Sequence, residues 1–322
     1  MTRREVKAAL AGAAAWPLGA SAQQGARNPR IGFLYGGLAE AMGLRIGALL
    51  DGVRAVDGRN MDLVAKSYVA ALDRLTELAR EIVAERVDVM FAAGPPAVRA
   101  ATIAAPSHSL VALDLETDPV AAGYVSSLRR PGGRVTGLFL DFPEFSTKWL
   151  ELLRRVVPNL SQVAVLWDPS TGTLQKDALT RAAGPLGVTL HVFEVNSVEA
   201  LRGAFAASRE RNAEGAVLLS SPIFGSNAAI SAELAFEYKL PAVSLFAEFA
   251  YSVGLLAYGP KQLELYRQAG TMVGKVLTGA SPADLPVERP SKFHLVVNLK
   301  AARAMGIELP QTLLLLADEV IE

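Results

Sequence analysis

The sequence predicts an α/β protein built as two doubly wound, Rossmann-like lobes with parallel sheets, joined by a hinge that the chain crosses more than once. Three observations predict it. From Arg30 onward, short apolar runs alternate with amphipathic stretches. The runs are apolar almost end to end, as strands covered on both faces must be. They also fall into two sets of five, on either side of the Pro- and Gly-rich stretch "LRRPGGRVTGLFLDFPEF" (128–145).

The elements follow in chain order. "MTRREVKAALAGAAAWPLGASAQQ" sets a basic start, a short apolar core and Ala20-Ser21-Ala22 in sequence. That is the order of a secretory signal peptide over 1–22, with cleavage before Gln23. Its apolar run is about half the ~20 residues that span a bilayer. The Arg3-Arg4 pair resembles a twin-arginine signal, although Glu5 and the lack of a following Phe-Leu leave the export route open. The chain has no cysteine, so neither disulfides nor a lipid-anchored cysteine is expected.

In the first lobe the strand candidates are 31–35, 62–69, 87–93, 109–115 and 134–140. In the second they are 162–168, 189–195, 215–221, 241–245 and 254–259. Helical patterns lie between them. The stretch 74–86 carries Leu75, Leu78, Ile82 and Val83 on one stripe. The stretch 146–158 has Ser146 as a candidate cap and stops at Pro158, and 197–212 and 261–279 are similarly amphipathic. Lobe one is therefore expected over 30–140, completed by about 261–280. Lobe two is expected over 141–259, with a returning tail at 286–322 whose lobe is open.

Composition narrows the function classes. Lys plus Arg and Asp plus Glu are equal at 32 each, so nothing points to nucleic acid or an anionic membrane surface. Too few residues precede Arg30 for a DNA-binding headpiece. His108, His191 and His294 are far apart in the chain, which argues for structural histidines rather than a metal site. No G-x-S-x-G, H-E-x-x-H or phosphate-loop pattern occurs, so no cofactor and no catalytic residues are expected.

In an open α/β sheet, ligands sit beyond the carboxyl ends of the strands. That rule selects Tyr35 and Gly36, then Gly94 and Pro95 at a strand-to-helix turn, then Asp114, Thr117 and Asp118 with Glu116 among them. In the second lobe it selects Trp167, Asp168 and Thr171, then Ser221 beside Ser220, and Phe246 and Glu248. Phe142, Phe224 and Tyr258 join Tyr35, Trp167 and Phe246 as aromatic candidates for cleft walls. An acid of the 114–118 cluster suits an amino group, or it caps a solvated turn.

The segments also resemble, in fixed order, the substrate-binding proteins of ABC transporters that bind tryptophan and related small molecules. The resemblance is carried by "IGFLYGG", "AAGPPAV", "TDPVAAGYVSSLRRPGGRVTG", "KWLELLRRVVP", "VAVLWDPS", "LPAVSLFAEFAYSVGLLAYG", "YRQAG" and "LTGASPADLPVERPSKFHLVVNLKAARAMGI". It implies a type I periplasmic-binding fold and delivery of a ligand to a membrane permease driven by a separate ATPase; with the signal peptide, the expectation is a periplasmic, monomeric binder of an amino acid or an aromatic or branched carboxylate-like compound. This chain departs from the usual pattern at Asp168 to Gly172, at Ser220-Ser221 and at Arg134, so ligand identity does not carry over. The rival readings are a secreted α/β enzyme acting on a small acid and a ligand sensor for a membrane receptor. Mass spectrometry of the exported protein should find Gln23 as its first residue. A full-length product in the cytoplasm would sink the export reading.

Overall fold

A computed structural model describes residues 27–37, 39–68, 72–140 and 142–322, with backbone alone at 39–41, 72 and 142–144. The expected signal peptide over 1–22 lies outside the described residues.

Five strands, β1 (Arg30–Tyr35), β2 (Asp62–Ser67), β3 (Val89–Ala93), β4 (Leu110–Asp114) and β5 (Val135–Phe139), form one sheet in the order β2-β1-β3-β4-β5. Every neighbouring pair is parallel. The central strands are buried along their length, because α1 (Ala39–Arg54), α2 (Leu75–Ala84) and α3 (Pro95–Ala104) cover the sheet. This explains why they are apolar without alternation.

The chain leaves this lobe through α4 (Phe142–Val156) and builds a second sheet. Its members are β6 (Gln162–Trp167), β7 (Thr189–Glu194), β8 (Gly215–Leu218), β9 (Ala242–Ser244) and β10 (Leu256–Pro260). Between them run α5 (Leu174–Ala183), α6 (Val198–Glu210), α7 (Pro222–Ser226), α8 (Ala228–Glu237) and α9 (Ala247–Tyr251).

The chain then returns. The helix α10 (Gln262–Leu277) packs on α1 and against β3, β4 and β5 of the first sheet. A last crossing brings β11 (Phe293–Asn298), α11 (Leu299–Met305), α12 (Gln311–Leu314) and β12 (Glu319–Ile321) to the second lobe. Its sheet is then ordered β12-β11-β10-β9-β8-β6-β7. The structure thus adds two strands to the ten read from sequence. One of them, β11, runs antiparallel to β10, so the second sheet is mixed at that edge.

One helix boundary differs from expectation. The fourth helix begins at Phe142, not at a cap on Ser146. Ser146 is fully buried inside it, with no hydrogen-bond partner for its hydroxyl among the described residues. The helix over Val198–Glu210 does start on a serine cap, Ser197, which accepts from the Ala200 amide at 3.3 Å.

The return of α10 depends on small residues. A Cβ on Gly52 of α1 would overlap the carbonyl oxygen of Arg267, and one on Gly270 would overlap that of Leu49. The two helices meet backbone to backbone there. Gly52→Ala should force them apart and cost on the order of 1–3 kcal/mol. The readout is a lower midpoint in denaturant-induced unfolding, and an unchanged midpoint would refute the close packing.

Candidate functional site

The carboxyl ends of both sheets face one another across the cleft, and three polar contacts join its walls. The Ser220 hydroxyl of lobe two donates to the Glu116 carboxylate of lobe one. Arg45 Nη2, from α1, lies 2.7 Å from Glu248 Oε1 in α9. Arg99 Nη2, from α3, donates to the Ser170 carbonyl at 2.6 Å.

Between these contacts Pro222 meets bare backbone. A Cβ on Gly36 would lie 2.9 Å from Pro222 Cβ, and one on Gly94 would lie 3.0 Å from Pro222 Cγ. Gly94 also has φ +90°, a region that L side chains avoid, as it turns β3 into α3. The approach of the lobes therefore needs glycine at both positions.

Pro222 separates two cavities. The inner one, about 60 Å³, is lined among others by Gly36, Arg45, Gly94, Glu116, Phe246 and Tyr266. The outer one, about 500 Å³, is lined among others by Tyr68, Pro96, Asp168, Asn196, Glu199 and Asn227. Both draw residues from both lobes.

Each polar group is held by its own segment. Asp114 Oδ1, at the end of β4, accepts from the amides of Glu116 (3.1 Å) and Thr117 (3.0 Å), which turns the chain so that Glu116 enters the inner cavity. Ser220 is fixed from behind by Gln175, whose side chain accepts from the Ser220 amide at 2.8 Å and donates to its carbonyl at 2.6 Å. Ser221 Oγ accepts from the Ile223 amide at 3.0 Å and starts α7, which sets Pro222 at the helix entry. Asp168 Oδ1 accepts from the Ser170 amide at 2.9 Å.

Of the residues selected from sequence, Gly36, Gly94, Asp168, Ser221 and Phe246 line one cavity or the other, and Glu248 reaches the rim through Arg45. The others lie elsewhere. Tyr35 stacks on Phe33 in the core. Pro95 is buried in the first turn of α3. Asp114 and Thr117 stand behind Glu116. Asp118 is exposed and caps its own turn, accepting from the Val120 and Ala121 amides.

Trp167 lines neither cavity. It is 7% exposed, donates to the Gly172 carbonyl at 2.9 Å and carries Lys176 over its ring. Thr171 is buried on Gln175, and Phe224 is in the core. Tyr258 stacks on Phe145 with ring centroids 5.0 Å apart. The side chain of Phe142 lies outside the described residues. Sequence reasoning passed over Arg45, Tyr68, Gln262 and Tyr266, which reach the cavities from inside helices or just past a strand. Among the described residues no group of His, Asp and Glu is placed to hold a metal ion.

Electrostatics set Glu116 apart. It is 5% exposed, and burial, then the nearby Asp114 charge, push its carboxyl well above the usual range. Burial also raises Asp114, and Asp114 Oδ2 has no hydrogen-bond partner among the described residues. The Tyr68 hydroxyl is likewise buried and unpartnered. Its proton is held far above the ordinary phenol range, first by burial and then by the Glu116 charge.

Two α/β lobes around a cleft whose walls carry converging polar groups define a protein that holds a small molecule between its lobes. The model of the ABC transporter substrate binding protein family matches residues 39–321, and the chain belongs to that family. It is 24% identical over 263 residues to the tyrosine-binding protein of Clostridioides difficile, spanning 78% of this chain and 72% of that protein. Its structure superposes with a TM-score of 0.83 and 22% identity on an ABC domain from Streptococcus pneumoniae in complex with L-Trp, over 92% of this chain and all of that one. A ligand-free, open substrate-binding protein with adhesive properties from Clostridium difficile gives 0.64 at 22% identity, over 91% of this chain and 99% of that one. These likenesses show the type I periplasmic-binding fold.

The raised Glu116 carboxyl predicts a pH effect on closure. Opening the cleft returns Glu116 toward water and so lowers its value, although Asp114 stays beside it, so the closed form binds the proton more tightly. Without ligand, closure should be fully favoured below the ordinary carboxylate range and should lose that support as pH rises through the raised value. Small-angle scattering across pH should show the radius of gyration increasing toward alkaline pH in the parent and remaining flat in Glu116→Gln. A pH-independent parent would count against the assignment.

Proposed function

We propose that this protein is the periplasmic, monomeric solute-binding component of an ABC importer. It binds a small amino-acid-like molecule in the interlobe cleft and presents the closed, loaded form to a membrane permease. The observation that carries the reading is the pairing of opposite walls around the inner cavity. Glu116 and Ser220, and Arg45 and Glu248, face each other from different lobes. A ligand held by both walls stabilises the closed form, because only there are all its contacts made.

The tyrosine-binding relative and the tryptophan-bound structure support an amino-acid-like ligand. The residues agree with that class. Glu116 suits an ammonium group, the Arg45 guanidinium and the unpartnered Gln262 side-chain amide suit a carboxylate, and Phe246 with Tyr266 supplies flat apolar surface. We read the protein as a binder rather than a catalyst, because the family it belongs to is one of substrate-binding proteins. Export to the periplasm fits both the family and the absence of any membrane-crossing helix among the described residues.

A melting-temperature screen with the common L-amino acids should find at least one that stabilises the protein, by about 2.7 kcal/mol at 100 times its dissociation constant. The same compound should shrink the radius of gyration. Arg45→Ala should weaken its binding roughly tenfold or more, about 1.5 kcal/mol, in titration calorimetry. Turnover of the bound compound would overturn the binder reading, as would a screen in which nothing stabilises the protein.

A further inference from the structure

The charges of the cleft do not balance. The inner cavity holds Glu116 and Arg45, but Arg45 is already paired with Glu248 at 2.7 Å. The outer cavity is lined by Asp168 and Glu199 and by no basic residue. Arg99 donates to the Ser170 carbonyl and its charge reaches Asp114, but it lines neither cavity. Behind Glu116 lies Asp114, 0% exposed, with one carboxylate oxygen unpartnered. The Tyr68 hydroxyl, on a residue 4% exposed, is also unpartnered and lines the outer cavity.

Of these acids Glu116, Asp114 and Asp168 are buried, and carboxylates gathered where water is excluded are costly unless a cation joins them; Glu199 adds its charge from the exposed rim. A neutral zwitterion brings one positive group and one negative group, and its carboxylate meets Arg45 only in competition with Glu248. A ligand with one further ammonium removes the imbalance, whereas an acidic ligand deepens it. We propose that the ligand is a small organic cation of the basic amino-acid type, with a primary ammonium group in excess of any carboxylate it carries. This inference rests on the reading of the cleft as the ligand site.

In that role Glu116 selects for positive charge on the inner side of Pro222, and Asp168 with Glu199 does so on the outer side. The groups that act on Glu116 are Asp114, Ser220, the Leu115 backbone and Asp168, none of them a cation, and Glu116 in turn acts on Tyr68 and Tyr266. The Tyr68 phenol keeps its proton at neutral pH, so its oxygen is free to accept from an ammonium group.

Titration calorimetry on the mature chain would compare L-lysine with L-norleucine, which keeps the four-carbon side chain and lacks its amine, and with L-glutamate. Lysine should bind at least tenfold more tightly than norleucine, and glutamate should not bind. Glu199→Gln is on an exposed residue at the start of α6, and its melting curve should match the parent's. It should narrow the lysine-to-norleucine ratio several-fold while leaving norleucine unchanged. Asp168→Asn should do the same if its melting curve matches the parent. Norleucine, tyrosine or tryptophan binding more tightly than lysine would overturn the charge inference and leave the cleft reading standing. No binding by any of these compounds would overturn both.

Discussion

The cleft depends on one steric fact, the seating of Pro222 against the bare backbone of Gly36 and Gly94. Side chains at those glycines would hold the lobes apart. The Glu116–Ser220, Arg45–Glu248 and Arg99–Ser170 contacts would then be out of reach together. The proline is placed by the Ser221 cap of α7, and the two glycines by the ends of β1 and β3. A loop contact on one lobe and two strand ends on the other thus decide whether the polar groups of the cleft meet.

Electrostatics then act within the space that this packing leaves. Asp114 spends one oxygen on turning the chain after β4 and so delivers Glu116 to the inner cavity. Burial raises both acids, and the Asp114 charge raises Glu116 further because little water is left to screen it. On the facing lobe, Gln175 holds Ser220 by amide and carbonyl alike. A side chain that touches neither cavity therefore sets the geometry of one that touches Glu116.

Much of the fold was legible in the sequence, for a physical reason. Parallel strands buried on both faces leave an uninterrupted apolar record, so all ten runs proposed as strands are strands. The strand β12 left a weak record because it is three residues long and begins with Glu319. Ser146 misled as a cap because a serine before an apolar run looks the same whether it starts a helix or is buried in one. The strand-end rule found Gly36, Gly94, Asp168, Ser221 and Phe246, which face the cavities simply by following a strand. It could not find Arg45, in the middle of α1, or Gln262 and Tyr266, in a helix that reaches the cleft only after crossing between lobes. Trp167 ends a strand too, but its indole N–H is satisfied by the Gly172 carbonyl, which turns the ring into the lobe.

The return of the chain through α10 and β11 bears on how the protein comes to be folded. Beside α1 the first sheet lacks its cover over β3, β4 and β5 until residues 262–277 exist, and the second lacks its antiparallel strand until 293–298 follow. The first lobe cannot bury its full core until α10 exists, and the second cannot until the last residues of the chain exist, however early their strands emerge. The nascent polypeptide consequently spends most of its synthesis with apolar strand faces unprotected. Each lobe thus waits on a segment made after the first ten strands, so the first lobe cannot finish before most of the second has been synthesised.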